Sequence, residues 1–261
     1  MTPTALTIAG SDSSGGAGLQ ADLKTFAAHG VHGVCAVTAV TAQNTVGVTA
    51  VEPVAPQLVV AQIEAVIADF EVRAVKTGML ARREIVAAVC ATLETLADIP
   101  VVVDPVMVAT SGDRLLDDDA VDLVRTGLLP RARVVTPNRQ EAEVLAQMPI
   151  ASLQDARRAA VQIRARGAGA VVITGGHLGE ADAVDLLDDG NAVVELRGPR
   201  FESRSTHGTG CTFAAAVAAG LAQGQGLGDA VAGAKRYVEG AIRHATPIGH
   251  GNGPVNHFWR K

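Results

Sequence analysis

Aromatic side chains are scarce in this chain of 261 residues: five Phe, one Trp and one Tyr. Its core has to be built from Ala, Val, Leu and Ile, which suit closely packed layers of sheet and helix. Cysteine is scarce as well. Cys35, Cys90 and Cys211 are an odd number without CxxC spacing, which excludes a disulfide framework and a thiolate zinc site. Positive charge is not in excess: 22 basic side chains against 27 acidic ones leave a net charge of −5, and the basic residues are scattered. Nucleic acid is therefore not an expected partner. No apolar run reaches the roughly 18 residues of a membrane span, so no membrane partner is expected. The start of the chain has neither a basic segment nor a cleavage site, and the expected location is cytoplasmic.

What remains is ordinary globular composition, 48% hydrophobic and 19% charged, without linker, low-complexity tract or repeat. Residues 1–261 are expected to form a single domain. Short β-rich runs alternate with longer helical patterns from end to end, as in α/β proteins. The expected strands are Ala5–Ala9, Val34–Val40, Gly47–Val51, Ala74–Lys76, Val101–Asp104, Arg133–Thr136, Ala170–Thr174, Ala183–Leu187 and Ala192–Leu196. Several are apolar at every position, which predicts a sheet covered on both faces. The expected helices are Ala17–His29, Pro56–Ala68, Arg82–Ala97, Asp118–Leu129, Gln140–Ala146, Leu153–Arg166, Gly210–Gln223 and Leu227–His244. Asp188-Asp189-Gly190-Asn191 reads as a hairpin turn, adding an antiparallel edge to a mainly parallel sheet.

Ligands of parallel α/β sheets bind beyond the carboxyl ends of the strands. Here the first strand leads into Gly10-Ser11-Asp12-Ser13-Ser14-Gly15-Gly16-Ala17-Gly18, a sharp turn that lets a ligand approach the backbone, or only a tight strand-to-helix junction. Thr206-His207-Gly208-Thr209-Gly210-Cys211-Thr212 opens an Ala-rich helix, whose first amides form a place for phosphate oxygens or an oxyanion. Neither loop is a P-loop, and the dinucleotide fingerprint GxGxxG is absent. Asp104 follows a Val-rich strand, and Asn138 and Glu141 lie three apart after Pro137. Such oxygens suit Mg²⁺. Asn138 and Glu141 equally fit a helix capping box.

Taken with Thr41-Ala42-Gln43-Asn44-Thr45, Lys76-Thr77-Gly78-Met79-Leu80, Asp104-Pro105-Val106-Met107, Ser111-Gly112, Thr136-Pro137-Asn138, Gly175-Gly176-His177 and Gly253-Pro254-Val255, these segments resemble the hydroxymethylpyrimidine and phosphomethylpyrimidine kinases of thiamine synthesis, in the ribokinase-like superfamily. The resemblance runs nearly the whole chain. It implies a three-layer αβα fold with a mainly parallel sheet, no large lid domain, and a homodimer. It also implies ATP-dependent, Mg²⁺-dependent phosphorylation of 4-amino-5-hydroxymethyl-2-methylpyrimidine to its monophosphate and then to the diphosphate. By the same resemblance Gln43, Ala17, Asp22, Met79 and Val106 bind the pyrimidine. The amides of Gly208, Thr209, Gly210 and Cys211 form the anion hole. Asn138, Thr174, Thr209 and Gly210 meet ATP, and Asp104 and Glu141 orient the metal. Bland alternatives are core packing for Met79 and Val106, a solvated helix face for Asp22, and a strand-end turn for Gln43.

Cys211 stands where sugar kinases of the superfamily have Asp, which disfavours a sugar substrate. At a helix N-terminus its thiolate is expected to be stabilised, so it is a candidate base for the substrate hydroxyl; a small buried residue is the alternative. Thr174 departs from the pattern, since many relatives have lysine there. Pyridoxal kinases with the same Cys loop are the nearest alternative. A nucleophilic enzyme pairing Cys211 with His207 or His177, and a regulator that only binds ligand, are rivals of other classes. The Gly249–Asn256 tail is expected to lie on the surface.

Overall fold

The computed structural model describes all residues except 1, 97, 110–111, 114, 176–181 and 261. Ser111, Gly176 and His177 of the sequence motifs lie outside the described residues. The strands are β1 (Thr4–Asp12), β2 (His32–Gln43), β3 (Val48–Pro53), β4 (Val72–Thr77), β5 (Val101–Val103), β6 (Val134–Val135), β7 (Val171–Ile173), β8 (Asp182–Asp188) and β9 (Val193–Pro199). They form one sheet in the order β3-β2-β1-β4-β5-β6-β7-β8-β9. The pairs from β2 through β1, β4, β5 and β6 to β7 are parallel, while β3, β8 and β9 run antiparallel to their neighbours. The hairpin expected at residues 188–191 is present. Asp189 Oδ1 accepts from the amides of Asn191 and Ala192, and Gly190 takes φ +87°.

Helices are α1 (Gly18–Ala28), α2 (Pro56–Ile67), α3 (Arg83–Glu94), α4 (Asp118–Leu123), α5 (Arg139–Ala146), α6 (Leu153–Arg164), α7 (Thr209–Ala222) and α8 (Leu227–Arg243). The single helix expected over Asp118–Leu129 is divided: after α4 the chain widens into a π turn at Val124–Leu128 and tightens into a 3₁₀ turn at Leu129–Arg131. Pro130 has no amide with which to continue an α-helical ladder there.

Side chains alternate across each strand, so β1 sends Leu6 and Ile8 into one core and Ala5 into the other. The first core is filled by α2 to α6 and the second by α1, α7 and α8. In the second core the Ala residues of α7 are nearly all buried, and a Cβ at Gly220 would stand 2.9 Å from Ala230 Cβ of α8. Small side chains thus let two helices and the sheet pack closely without aromatics. Among the described residues no helix is long and apolar enough to cross a membrane.

Candidate active site

The carboxyl ends of β1, β2, β4, β5, β6 and β7 lie along one rim of the sheet. At the end of β1, Asp12 accepts hydrogen bonds from the amides of Ser14 (2.8 Å), Gly16 (3.1 Å) and Ala17 (2.8 Å), and from the Ser14 hydroxyl. Its fifth partner comes from the other end of the chain, His207 Nε2 at 2.9 Å. Burial alone would raise this carboxyl, but the bonds from His207, Ser14 and Ala17 outweigh it and hold the pKa at about 2. Two glycines make the construction possible. Gly18 has φ +54° and passes so close to Gly10 that a Cβ would stand 2.3 Å from its carbonyl oxygen. Gly208 has φ +80°, and a Cβ there would be 1.9 Å from the carbonyl oxygen of Gly16. The two glycine loops are therefore interlocked rather than merely adjacent.

Gly208 is the N-cap of α7, and the Thr212 amide is the first to bond back, to Gly208 O at 2.8 Å. The Thr209 amide is engaged at 3.3 Å by Thr206 O, so of the four amides expected in the anion hole it is partly committed to the turn. Gly210 is exposed, with open space where a Cβ would be, and Cys211 follows it. First-turn amides of this kind carry the positive end of the helix.

Beneath this helix end lies a charged cluster. Lys76 of β4 is fully buried, with Nζ 2.9 Å from Asp22 Oδ2 of α1 and 3.6 Å from Asp104 Oδ2. Thr7 Oγ1 donates to Asp22 Oδ2 at 2.6 Å. Gly78 makes room for the ammonium, since a Cβ there would stand 2.7 Å from Nζ. Burial raises the carboxyls of both Asp22 and Asp104 despite the Lys76 charge. Cys211 joins the cluster electrostatically, within reach of the charges of Asp104, Asp22 and Lys76. Burial pushes this thiol well above its ordinary range; Lys76 opposes that, and the carboxylates of Asp104 and Asp22 add to it. The expected stabilised thiolate is thus corrected. In the free protein Cys211 holds its proton, because two carboxylates and burial outweigh one ammonium and a helix end.

The residues expected at the pyrimidine divide into three groups. Met79 and Val106 pack with Ala39, Ala81 and Leu115 in a small apolar cluster of their own, at the rim rather than in either main core. Gln43 ends β2, with Ser13 Oγ 2.8 Å from its amide and His207 Nε2 3.4 Å from its side chain, and Ala17 is half-buried in the glycine loop. Asp22 lies deeper, with no exposed surface, so it is not a solvated helix face.

At the β6–β7 end, Asn138 and Glu141 form a complete capping box on α5. Asn138 Oδ1 accepts from the Glu141 amide at 3.0 Å, and Glu141 Oε2 from the Asn138 amide at 2.9 Å. Burial and the Asp104 charge push the Glu141 pKa up to about 8. Thr174 pairs with Asn138, its amide donating to Pro137 O at 2.9 Å. Among the described residues no three His, Cys, Asp or Glu side chains gather as a ready-made metal cage. Two buried carboxylates, with Asp104 raising Glu141 and Asp104 Oδ2 lacking a hydrogen bond, nevertheless fit a hydrated Mg²⁺, which commonly takes one or two carboxylates and completes its shell from water and phosphate.

Sequence reasoning did not assign Lys76, Asp12 or His207, nor the tail. The tail lies on the surface in its first half, with Gly249, His250 and Asn252 exposed, but is pinned there: Gly253 O accepts from the His207 amide at 3.0 Å, Thr45 O accepts from the Asn252 amide at 2.8 Å, and Val255 is buried. It ties the end of β2 to the loop before α7. The available signal for Lys76 was a lysine inside an otherwise apolar strand, which requires buried partners.

The family model described as phosphomethylpyrimidine kinase matches residues 12–256. A hydroxymethylpyrimidine/phosphomethylpyrimidine kinase of Rhizobium meliloti (strain 1021) is 53% identical over 263 residues, covering 100% of this chain and 98% of that protein. Among solved structures, an ADP complex of Bacillus subtilis pyridoxal kinase is 39% identical with a TM-score of 0.92, covering 98% of each chain. A phosphomethylpyrimidine kinase of Clostridium difficile 630 is 40% identical with a TM-score of 0.82, covering 92% of this chain and 100% of that one. With a family model spanning most of its length and a full-length relative sharing half its residues, this chain belongs to the phosphomethylpyrimidine kinase family.

Proposed function

We propose that this chain transfers the γ-phosphoryl group of ATP to the hydroxymethyl oxygen of 4-amino-5-hydroxymethyl-2-methylpyrimidine, and then phosphorylates the monophosphate to the diphosphate used in thiamine biosynthesis. The observation that carries the reading is Cys211 in the first turn of α7, beneath Gly18 and against Asp104. A helix end that accepts phosphoryl oxygens there adjoins the Gln43 end of β2 through His207.

In this reading Gln43 hydrogen-bonds the aminopyrimidine, and Met79, Val106 and Ala17 enclose its ring. Asp22 acts from below by holding Lys76. The amides of Gly208, Gly210 and Cys211 receive the γ-phosphoryl oxygens, with Thr209 contributing after its turn bond loosens. Asn138 and Thr174 meet the nucleotide. Asp104 and Glu141 would hold Mg²⁺, which supplies charge neutralisation of the phosphates. The substrate oxygen forms its bond to the γ-phosphorus as the bond to the ADP oxygen breaks, and Cys211, having first given its own thiol proton to solvent, receives the hydroxyl proton as a thiolate. Once Asp104 is neutralised, one of the two carboxylate fields that keep the thiol protonated is gone, while Lys76 and the helix end remain to favour the thiolate. The chain works as one domain, in the cytoplasm where its co-substrate is. Exposed Val40, Val46 and Val51 on the β2–β3 ribbon support the homodimer.

Mass spectrometry of products formed from Mg-ATP and the pyrimidine tests the activity; two successive phosphate additions are expected. Pyridoxal belongs in a parallel tube, because the pyridoxal kinase structure superposes with the higher TM-score, 0.92 against 0.82. Phosphate on pyridoxal alone would replace the main reading. Cys211→Ala is expected to lower kcat by about a hundredfold or more, the scale of a lost general base. Full turnover in that variant would remove Cys211 from the role.

A further inference from the structure

Two lysines are buried among the described residues, Lys76 and Lys235. Lys76 belongs to the site already described. Lys235 lies in α8, and its Nζ stands 3.2 Å from Asp185 Oδ2 of β8 and 3.0 Å from the Ala183 carbonyl oxygen. Glu239, one turn further along α8, brings a second carboxylate to 3.5 Å. Gly198 of β9 leaves room for it, since a Cβ there would collide with Glu239 Oε1. A buried ion pair adds little stability over apolar side chains of the same size, so its presence calls for another reason.

The second oxygen of Asp185 supplies one: Oδ1 accepts from the Gly175 amide at 2.7 Å. β7 and β8 pair in register from Val171 with Asp188 to Ile173 with Leu186, and the same register carried on would set Gly175 opposite Val184. The ladder stops short of that pair, and the Gly175 amide takes the Asp185 carboxylate instead. Thr174 turns to the other side, where its amide donates to Pro137 O at 2.9 Å and it pairs with Asn138. The C=O and N–H of one trans peptide point in opposite directions, so a Gly175 N–H held towards β8 turns the Thr174 carbonyl towards Asn138. The peptide that follows β7 is gripped from both sides.

We infer that Asp185 and Lys235 are positioning residues for the nucleotide: Asp185 fixes the Thr174–Gly175 peptide beside Asn138, and Lys235 holds the carboxylate in place to do so. The inference rests on the functional reading above, in which Asn138 and Thr174 meet ATP, and deepens it. Both residues act through the backbone rather than through a contact of their own with ATP. Burial raises the Asp185 carboxyl, while Lys235 and the Gly175 amide oppose this, so the ion pair and the amide bond support one another.

The test is Asp185→Asn, alone and together with Lys235→Met. Calorimetry with Mg-ADP gives nucleotide affinity, and product formation gives kcat and both KM values. The Lys235 ammonium only donates, so it draws the single oxygen of the asparagine and leaves NH₂ against the Gly175 amide, donor against donor. Asp185→Asn is therefore expected to raise KM for ATP and Kd for ADP about tenfold, the scale of one lost hydrogen bond to a charged group, while KM for the pyrimidine stays within about twofold. Adding Lys235→Met releases the asparagine oxygen to Gly175, and the nucleotide constants are expected to return to within about threefold of wild type. A merely structural pair predicts the reverse, because the double variant has lost both charges. Unchanged nucleotide constants in Asp185→Asn overturn the inference, even where urea unfolding shows a loss of stability. So does an equal rise in both KM values, or a double variant no better than the single one. A wild type that binds no Mg-ADP overturns the functional reading and the inference together, whereas binding that is insensitive to Asp185→Asn overturns the inference alone.

Discussion

At the β1–β2 end of the site Asp12 is surrounded by donors from Ser14, Gly16, Ala17 and His207 and lies near a pKa of about 2, whereas at the β5–β6 end Glu141 sits near about 8 with the buried Asp104 charge facing it. Both ends carry buried carboxylates at the same rim of the sheet, Asp12 closing β1 and Glu141 in the first turn of α5. The difference lies in what compensates the charge. Asp12 is compensated by the protein itself, so the loops it organises are in place before any ligand arrives. Asp104 and Glu141 are under-compensated: Lys76 serves Asp22 at 2.9 Å and Asp104 only at 3.6 Å. The end proposed to recognise an uncharged ring is thus finished in advance, while the end proposed to meet phosphates and a dication keeps an electrostatic deficit that such ligands would relieve.

The largest effect tests the cation between the two ends. Lys76→Met leaves Asp22 and Asp104 buried without their partner, and breaking a buried pair in this way costs about 3–5 kcal/mol. Urea unfolding near neutral pH is the measurement. A loss below about 1 kcal/mol would mean that the two carboxyls are already protonated in the folded chain, and the contrast with Asp12 would then be one of protonation rather than of partners.

Glu141→Gln sharpens the comparison from the deficient end, with the opposite sign. The folded pKa, about 8, is raised above the ordinary value of 4.5, so the contribution is fully present below 4.5 and is lost as pH rises to 8. Over that window it gives up at most about 1.4 kcal/mol per pH unit. Glutamine retains a carbonyl for the Asn138 amide but cannot ionise. The variant is therefore expected to match the wild type near pH 4.5, to be more stable at pH 8, and to lose that advantage when Mg²⁺ and nucleotide are added to both. A variant less stable than wild type at pH 8 would show that Glu141 is compensated in the same manner as Asp12.

Every strand expected from the sequence is present, and so is every helix apart from the division of the one over Asp118–Leu129, because each is announced locally. Apolar runs of Val mark β5 to β7, Gly190 marks the hairpin, and Ser152 Oγ accepts from the Asp155 amide at 3.2 Å as a helix cap should. The glycine loops were legible for the same reason. What could not be read is pairing across distance: Asp12 with His207, 195 positions away, and Lys76 with Asp22, 54 positions away. Single charged residues have no period, and nothing near Asp12 in the chain names its partner. Cys211 shows the cost. A helix N-terminus predicts a lowered thiol pKa, but burial, with the carboxylates of Asp104 and Asp22 adding to it, reverses the sign.

Asp12→Asn is the smallest of the three perturbations and bears on the finished end. Asparagine still has one oxygen to accept from Ser14, but its NH₂ faces the Gly16 and Ala17 amides and His207 Nε2, which are donors themselves. Losing these charge-assisted bonds costs about 1.5–3 kcal/mol at neutral pH. The folded pKa of about 2 is depressed from the ordinary value of 3.8, so the wild-type advantage is present above 3.8 and fades as pH falls through 2. Unfolding midpoints of the two proteins should therefore differ at pH 6 and converge in acid. Kinetically the variant is expected to raise KM for the pyrimidine more than KM for ATP, since the loops that Asp12 holds carry His207 and Ala17 on the substrate side. If both KM values rose equally, the two ends of the site would be one mechanical unit, and the division between a finished end and a waiting one would have to be given up.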